Sequence, residues 1–442
     1  MMRVDSRYAY DLAIIGAGPA GYTAAFEAAA RGMKTVLFEK GLFGGTCLNR
    51  GCVPTKYLAH AAELYAQVKR PGSYGYGIHS LDVKLDLAEM NAEKDRLITG
   101  LREGLYQKLC RMQVELVEAA AKLIGLHEIS AGGRIYDAQY VLIATGSVPA
   151  SPLFEGAVTS DGVLNPDRIP ETLKILGGGV IAAEAAHIYR SFGSDVTVCM
   201  RGKRMLRGFD REIAIGLMQN LRQKGVVIIP ECTLQQMQEI PAELTLSATG
   251  RYPEFNLVQA QRLGMEFDGG IAVDKQGYTG VAGIYAAGDV IKGSPQLAHE
   301  AMEQGRRAVR AMAGETQPDP GTVTQCIYVS PEIACVGLSS AQAKDLEIPV
   351  VTGKQVMAAN ARTQIAAQGR GFVKLIAKAD TGVLLGAQLL CGRASDLAAE
   401  LALAIDQKLT VDDLLGTVRP HPSYCEEIRE AAAAVKRRWQ EI

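Results

Sequence analysis

At 442 residues the chain is too long for one ordinary core, so two to four domains are expected. Hydrophobic residues make up 48% and charged residues 21%, as in a soluble enzyme, and a formal charge of −1 gives no sign of a polyanion-binding surface, so no nucleic-acid partner is expected. Charge or glycine interrupts every apolar run before it reaches spanning length, so no membrane crossing is expected, and without a basic-then-apolar leader the expected compartment is the cytoplasm.

In chain order, residues 8–15 read as a short apolar strand, Gly16-Ala17-Gly18-Pro19-Ala20-Gly21 as a turn, and residues 22–31 as an alanine-rich helix. A second strand, 35–38, ends at Glu39, completing a βαβ unit. The pattern recurs as a divergent repeat: strand 173–176, Gly177-Gly178-Gly179, a helix through Ser191, and strand 195–199. Two such units imply two dinucleotide sites. Loop signals at 147–152 and 165–170 separate them, and a strand with a glycine turn, 283–289, returns to the style of the first. Beyond a linker at Gln317-Pro318-Asp319-Pro320 come strand-like runs 371–376 and 383–390 and a helical stretch 394–407, an α+β segment. The short basic cluster Lys436-Arg437-Arg438 reads as a solvated helix face or an interface.

In the first turn Gly16 permits the tight bend, Gly18 lets the backbone approach a pyrophosphate, and Gly21 allows close helix–strand packing. Glu39 stands where a carboxylate can accept from ribose hydroxyls. A glycine pattern alone is weak, but strand before, helix after and an acid at this distance lift it above a mere turn. The strongest signal is Gly44-Gly45-Thr46-Cys47-Leu48-Asn49-Arg50-Gly51-Cys52-Val53-Pro54-Thr55-Lys56. Cysteines five apart in an ideal helix would have Cα atoms roughly 8–9 Å apart, whereas a disulfide tolerates at most about 7 Å. A redox pair here therefore needs a distorted segment, which the glycines permit, and it would be easily reduced. The competing reading is two unpaired buried cysteines. Cys110, Cys199, Cys232, Cys326, Cys335, Cys391 and Cys425 show no metal-ligand spacing, and no metal site is expected.

These motifs resemble the pyridine nucleotide–disulfide oxidoreductases over essentially the whole chain. The resemblance implies an α/β fold with two Rossmann-like dinucleotide-binding domains and a C-terminal α+β dimerisation domain. The expected boundaries are 1–150 (completed by 256–320) for FAD, 151–255 for the nicotinamide, and 321–442 for the interface. It implies a redox-active pair in which Cys52 contacts the flavin and Cys47 exchanges with substrate, with Lys56 near the flavin nitrogen that takes hydride and paired with Glu184. FAD contacts are carried over to Gly16, Gly18, Pro19, Ala20, Gly21, Glu39, Lys40, Gly45, Thr46, Lys56 and Ala121. The crossover motif Thr145-Gly146-Ser147, the pair Gly288-Asp289, and the segment Gln296-Leu297-Ala298-His299 complete that set. The nicotinamide side is carried over to Gly177, Gly179, Val180, Ile181, Glu184 and Gly250. Near the end, His421 and Glu426 match the family's base and its orienting carboxylate; thiol exchange needs such a base to take the attacking thiol's proton. In the family that base serves the other subunit, which implies an obligate homodimer with a shared site. His60, His79, His127 and His187 read as structural.

The chain departs from lipoamide enzymes at the second strand end, where Met200-Arg201 replaces the acid expected for a 2′-hydroxyl, with Lys203, Arg204 and Arg207 following and Ala182 in the third glycine position. Arg201 and Arg207 can form charge-assisted bonds to a 2′-phosphate, so NADP(H) is favoured over NAD(H); the competing reading is a solvent-facing basic loop. Val180 stands where glutathione reductases carry a tyrosine, Arg419-Pro420 precedes His421, Ser423 replaces a threonine, and 229–248 is short enough to have lost a β-hairpin. The leading expectation is dihydrolipoamide dehydrogenase or a close paralogue acting on a disulfide or dithiol such as a lipoyl group, within a 2-oxoacid dehydrogenase or glycine cleavage complex. The alternatives are an NADPH-dependent reductase of a small disulfide and a non-catalytic dimeric subunit of a multienzyme complex. Mercuric and large thioredoxin reductases are disfavoured because no cysteine follows Cys425.

Overall fold

A computed structural model describes residues 7–69, 83–315, 318 and 320–440, with Leu257 and Val258 given by backbone alone. His79, and Gln317 and Asp319 of the expected linker, lie outside the described residues. The chain divides into two compact units. The first holds the described residues of 1–55, 88–150 and 250–320, and the second those of 56–87, 151–249 and 321–442.

In the first unit the strand Tyr10–Ile15 lies between Thr35–Phe38 and Arg134–Ile143, parallel to both, with Leu12 opposite Thr35 and Tyr140. Leu12, Ala13 and Ile14 are fully buried, as a central strand of a sheet covered on both faces requires. Arg134–Ile143 serves two purposes. Its first half pairs antiparallel with Glu128–Ala131, and its second half pairs parallel with Ile284–Ala286. The first helix runs Pro19–Ala30 rather than 22–31. The reason is Pro19, whose fixed φ and missing N–H suit a first helical turn, so half of the expected turn is already helix. Its Ala20, Ala24, Ala25 and Ala28 share a core with Ala301 and Ala308 of the helix Ala298–Met312. Small residues let the two axes close in: a Cβ on Gly305 would stand 2.4 Å from Ala20 O.

The second unit contains a parallel sheet in the order Val227–Ile229, Asp195–Cys199, Thr172–Leu176, Leu244–Ser247. The helix Val180–Phe192 follows its glycine turn. Between residues 229 and 248 stands a short helix, Leu234–Glu239, started by a capping box of Thr233 and Gln236. The same unit holds a five-stranded antiparallel sheet, Thr324–Ile327, Glu332–Gly337, Leu384–Cys391, Phe372–Lys378, Val350–Val356 in spatial order. Val373, Leu375 and Leu389 pack with Leu401 of the helix Ala394–Asp406 and Ile428 and Ala432 of the helix Glu426–Gln440. Two parallel dinucleotide-type sheets and a C-terminal α+β layer are thus present. Among the described residues no helix is long and apolar enough to cross a membrane.

Candidate active site

In the first unit the glycine turn is built around one forced conformation. Gly16 has φ +105°, and a Cβ there would lie 2.4 Å from Ala144 O. Gly18 precedes the helix without any side-chain cap, leaving its first N–H groups to a ligand. Glu39 is folded against this turn, its Oε2 accepting from Ala17 N and its Oε1 from Gly41 N, both at 2.8 Å. Lys40 is ion-paired with Glu254. Gly45 also approaches the turn, since a Cβ there would be 2.6 Å from Gly18 Cα, which brings the cysteine segment beside the phosphate-type loop. The Asp289 carboxylate accepts from Ser147 Oγ at 2.6 Å, and Arg251 donates to Ser147 Oγ at 2.8 Å and Ser147 O at 2.7 Å. Gly288 N donates to Gln304 Oε1, and Gly146 O accepts from Glu254 N. Ala121 opens the strand Ala121–Leu123. Gln296, at φ +57°, leads into Leu297, the N-cap of the helix beginning Ala298-His299. Thr145 Oγ1 is buried with no partner among the described residues. A lone buried hydroxyl, an acid at the strand end and an uncapped helix start fit a bound dinucleotide such as FAD.

The cysteine segment breaks where the distance argument requires. One helix, Gly45–Arg50, ends at Gly51 (φ −147°, ψ −109°), and a second, Cys52–Lys69, starts at once. Cys47 and Cys52, both half-buried, therefore stand on different helices. Asn49 Nδ2 ties the first helix back to Phe43 O and Gly45 O at 3.0 Å, and Arg102 donates to Asn49 Oδ1 at 3.1 Å. Sequence reasoning passed over Tyr22, one residue beyond the glycine motif. Its phenol is pushed up to about 12, by burial first and then by Cys47 and Cys52, so it stands near the thiol pair.

In the second unit Lys56 Nζ donates to Glu184 Oε1 at 3.0 Å and Oε2 at 2.9 Å. The Glu184 side chain is 5% exposed and that of Lys56 32%. The pairing expected between residues 128 positions apart is thus present in the geometry. Gly177 repeats the forced turn at φ +120°, with a Cβ 2.3 Å from Ala248 O, and Gly179 leads uncapped into Val180 and Ile181. Met200, 3% exposed, tucks its sulfur beneath Gly178, where a Cβ would be 2.8 Å away. Leu206 N then pins the loop to Gly178 O at 2.7 Å. Arg201 and Arg207 are exposed, with no ion-pair partner among the described residues, while Lys203 lies 3.9 Å from Glu231. Gly250 (φ +131°) belongs to the first unit instead, where its carbonyl accepts from Ala150 N.

His421 Nδ1 lies 2.8 Å from Glu426 Oε1, and Ser423 N donates to Glu426 Oε2 at 2.8 Å. These bonds, the Ser423 N–H first and His421 second, hold the Glu426 carboxyl below its usual range. A carboxylate on Nδ1 leaves Nε2 facing out, and the His421 side chain is 73% exposed. Arg419 is an anchor, bound to Glu400 and to Leu414 O at 2.9 Å. Asn360 holds Ser423 O at 2.9 Å. His127 Nδ1 donates to Ala138 O at 3.0 Å, a structural use.

The fold and these sites define a flavin-type disulfide reductase, and comparison with known proteins agrees. Residues 10–305 match the pyridine nucleotide-disulphide oxidoreductase model and residues 323–432 its dimerisation domain. The chain belongs to the pyridine nucleotide-disulphide oxidoreductase family. Dihydrolipoyl dehydrogenase of Geobacillus stearothermophilus is 34% identical over 447 residues, spanning 95% of this chain and 94% of the relative. That of Thermus scotoductus is 34% identical, spanning 96% and 97%. Among solved structures, LpdA from Mycobacterium tuberculosis superposes with a TM-score of 0.88 at 26% identity, covering 96% of this chain and 99% of the other. The Cu(II) complex of a flavoprotein disulfide reductase induced by HOCl in Escherichia coli gives 0.86 at 26%, with the same coverage. The chain is accordingly an oxidoreductase that uses FAD and a pyridine nucleotide and acts on a sulfur group as a homodimer.

Proposed function

We propose that the chain is a dihydrolipoyl dehydrogenase or a close paralogue that prefers NADP(H), and that its two subunits share each active site. The observation that carries this reading is the His421–Glu426 pair, ordered at 2.8 Å yet presented outward. A general base aimed at solvent in one subunit has work to do only against a second copy. FAD, when bound, relays two electrons between the nicotinamide and the thiol pair. Glu39, the uncapped helix start at Pro19, Ser147 and Asp289 would hold it, and by the family resemblance the Lys56–Glu184 pair would supply it with a fixed charge. The partner's copy of His421 takes the proton from a substrate thiol. The resulting thiolate attacks Cys47 Sγ, breaking the Cys47–Cys52 bond and leaving the electron pair on Cys52. The second substrate thiol then displaces Cys47, closing the substrate disulfide and leaving Cys47 and Cys52 reduced. Arg201 and Arg207 supply the preference for a 2′-phosphate, supported by a strand end from which the acid is missing and where Met200 turns inward. Docking on a 2-oxoacid dehydrogenase or glycine cleavage complex fits a lipoyl substrate, as does a cytoplasmic location.

The basic loop keeps one second reading in play, an NADPH-dependent reductase of a small disulfide. Turnover of lipoamide, glutathione disulfide and coenzyme A disulfide with each nicotinamide separates the two, and lipoamide is expected to lead. In the same assay His421→Gln lowers disulfide turnover about 100-fold while flavin reduction by the nicotinamide persists. Equal loss of both half-reactions in an intact dimer would remove His421 from its role.

A further inference from the structure

The Lys56–Glu184 pair has a third partner to which the chemistry above gives no task. Tyr328 follows the strand Thr324–Ile327, and its backbone N–H donates to Glu184 Oε1 at 3.0 Å. The same residue turns its ring toward Lys56, whose Nζ stands 4.7 Å from the ring centroid. One residue thus grips the carboxylate with its main chain and the ammonium with its side chain. A buried carboxylate needs fixed donors, and Glu184 Oε1 has two, Lys56 Nζ and Tyr328 N. Lys56 is the looser member, a flexible four-carbon stem with part of its surface in water. Left with the carboxylate alone, its ammonium could swing toward solvent; the negative face of an aromatic ring adds a second, directional attraction. Cys326, two residues earlier, places the ammonium near this strand by a separate route. Burial chiefly, then Glu332, pushes its thiol up to about 11, while Lys56 pulls it down.

We propose that Tyr328 is a positioning residue for the Lys56–Glu184 pair, its ring holding the Lys56 ammonium in one place for hydride transfer. This rests on the reading that puts Lys56 beside the flavin, and the experiment separates the two. Holoenzymes carrying Tyr328→Leu, Tyr328→Phe and Lys56→Met are compared in single-turnover reduction by the nicotinamide, in the flavin midpoint potential, and in thiol exchange with substrate. Labelling of Lys56 by acetic anhydride is measured by mass spectrometry on flavin-free protein. Tyr328→Leu is expected to slow the hydride step about tenfold, to shift the potential in the same direction as Lys56→Met, and to raise Lys56 labelling several-fold. Thiol exchange should not change, and Tyr328→Phe, which keeps the ring, should match the wild type throughout. A slow Lys56→Met beside a normal Tyr328→Leu overturns the role of Tyr328 alone. Equal damage in Tyr328→Phe and Tyr328→Leu overturns it too, because the ring would not be the active part. A normal Lys56→Met overturns the placement of Lys56 on which the proposal rests.

Discussion

The two glycine turns are the same device with opposite electrostatics. Gly16 and Gly177 both lie at positive φ, +105° and +120°, each with a carbonyl oxygen within 2.4 Å of where a Cβ would go. Gly18 and Gly179 both lead into a helix with no side-chain cap. What differs is the end of the second strand. At the first, Glu39 accepts two backbone N–H bonds, from Ala17 and Gly41; at the second, Met200 hides its sulfur under Gly178 and arginines follow. Backbone geometry is thus the same in both turns, and the residue at each strand end is where the two differ.

The largest test of this equivalence is steric. Gly16→Val and Gly177→Val each place a side chain against a carbonyl in a backbone region that β-branched residues avoid, a cost of about 3 kcal/mol or more, or roughly 100-fold in affinity. Gly16→Val should emerge colourless, without flavin. Gly177→Val should remain yellow and fail only in reduction by the nicotinamide. Loss of flavin from both variants would break the comparison, because the turns would then not be independent sites.

A smaller effect concerns the charge. Each charge-assisted bond to a 2′-phosphate contributes about 1.5–3 kcal/mol, so under the proposed function Arg201 and Arg207 together are expected to give a preference on the order of 100-fold at low salt, declining as ionic strength rises. Arg201→Ala with Arg207→Ala should lower kcat/KM for NADPH and leave NADH unchanged. Steady-state kinetics in which the wild type favours NADH would reduce the arginines to surface decoration.

The smallest expected effect is acid lability. The first helix buries no ionisable side chain, whereas Val180–Phe192 buries His187, whose Nδ1 has no partner among the described residues. Burial first, then Lys224, holds the His187 pKa well below 6.5. The unfolded chain therefore binds the proton that the folded chain refuses. The stability His187 contributes is full above about pH 6.5 and falls as pH drops, by up to about 1.4 kcal/mol per unit. Urea midpoints of the second unit should drop between pH 7 and 5, and less so in His187→Gln. A midpoint with the same acid dependence in both proteins would rule His187 out as the cause.

Much of this was legible in the sequence because it is local. The strands 35–38 and 195–199 appear with the bounds expected, since apolar β-branched runs between turn residues leave little choice. The need for a break between Cys47 and Cys52 followed from helix geometry alone, and Gly51 is where it falls. Long-range partners were not legible. Nothing near Tyr328 in sequence announces that it touches residues 144 and 272 positions away. Arg251 bonding to Ser147 likewise depends on a strand pairing, Tyr252 with Val148, that no spacing encodes. The inward turn of Met200 was hidden too, because an apolar residue at a strand end can face either way.

The outward-facing His421 has a consequence for inheritance. If each copy completes its partner's chemistry, a cell that makes intact and His421-lacking chains together assembles mixed pairs in which the damaged chain disables one site and still receives a working base at its own. A faulty allele would then be partly rescued and partly poisonous in the same molecule, and gene dosage would set activity through the statistics of pairing.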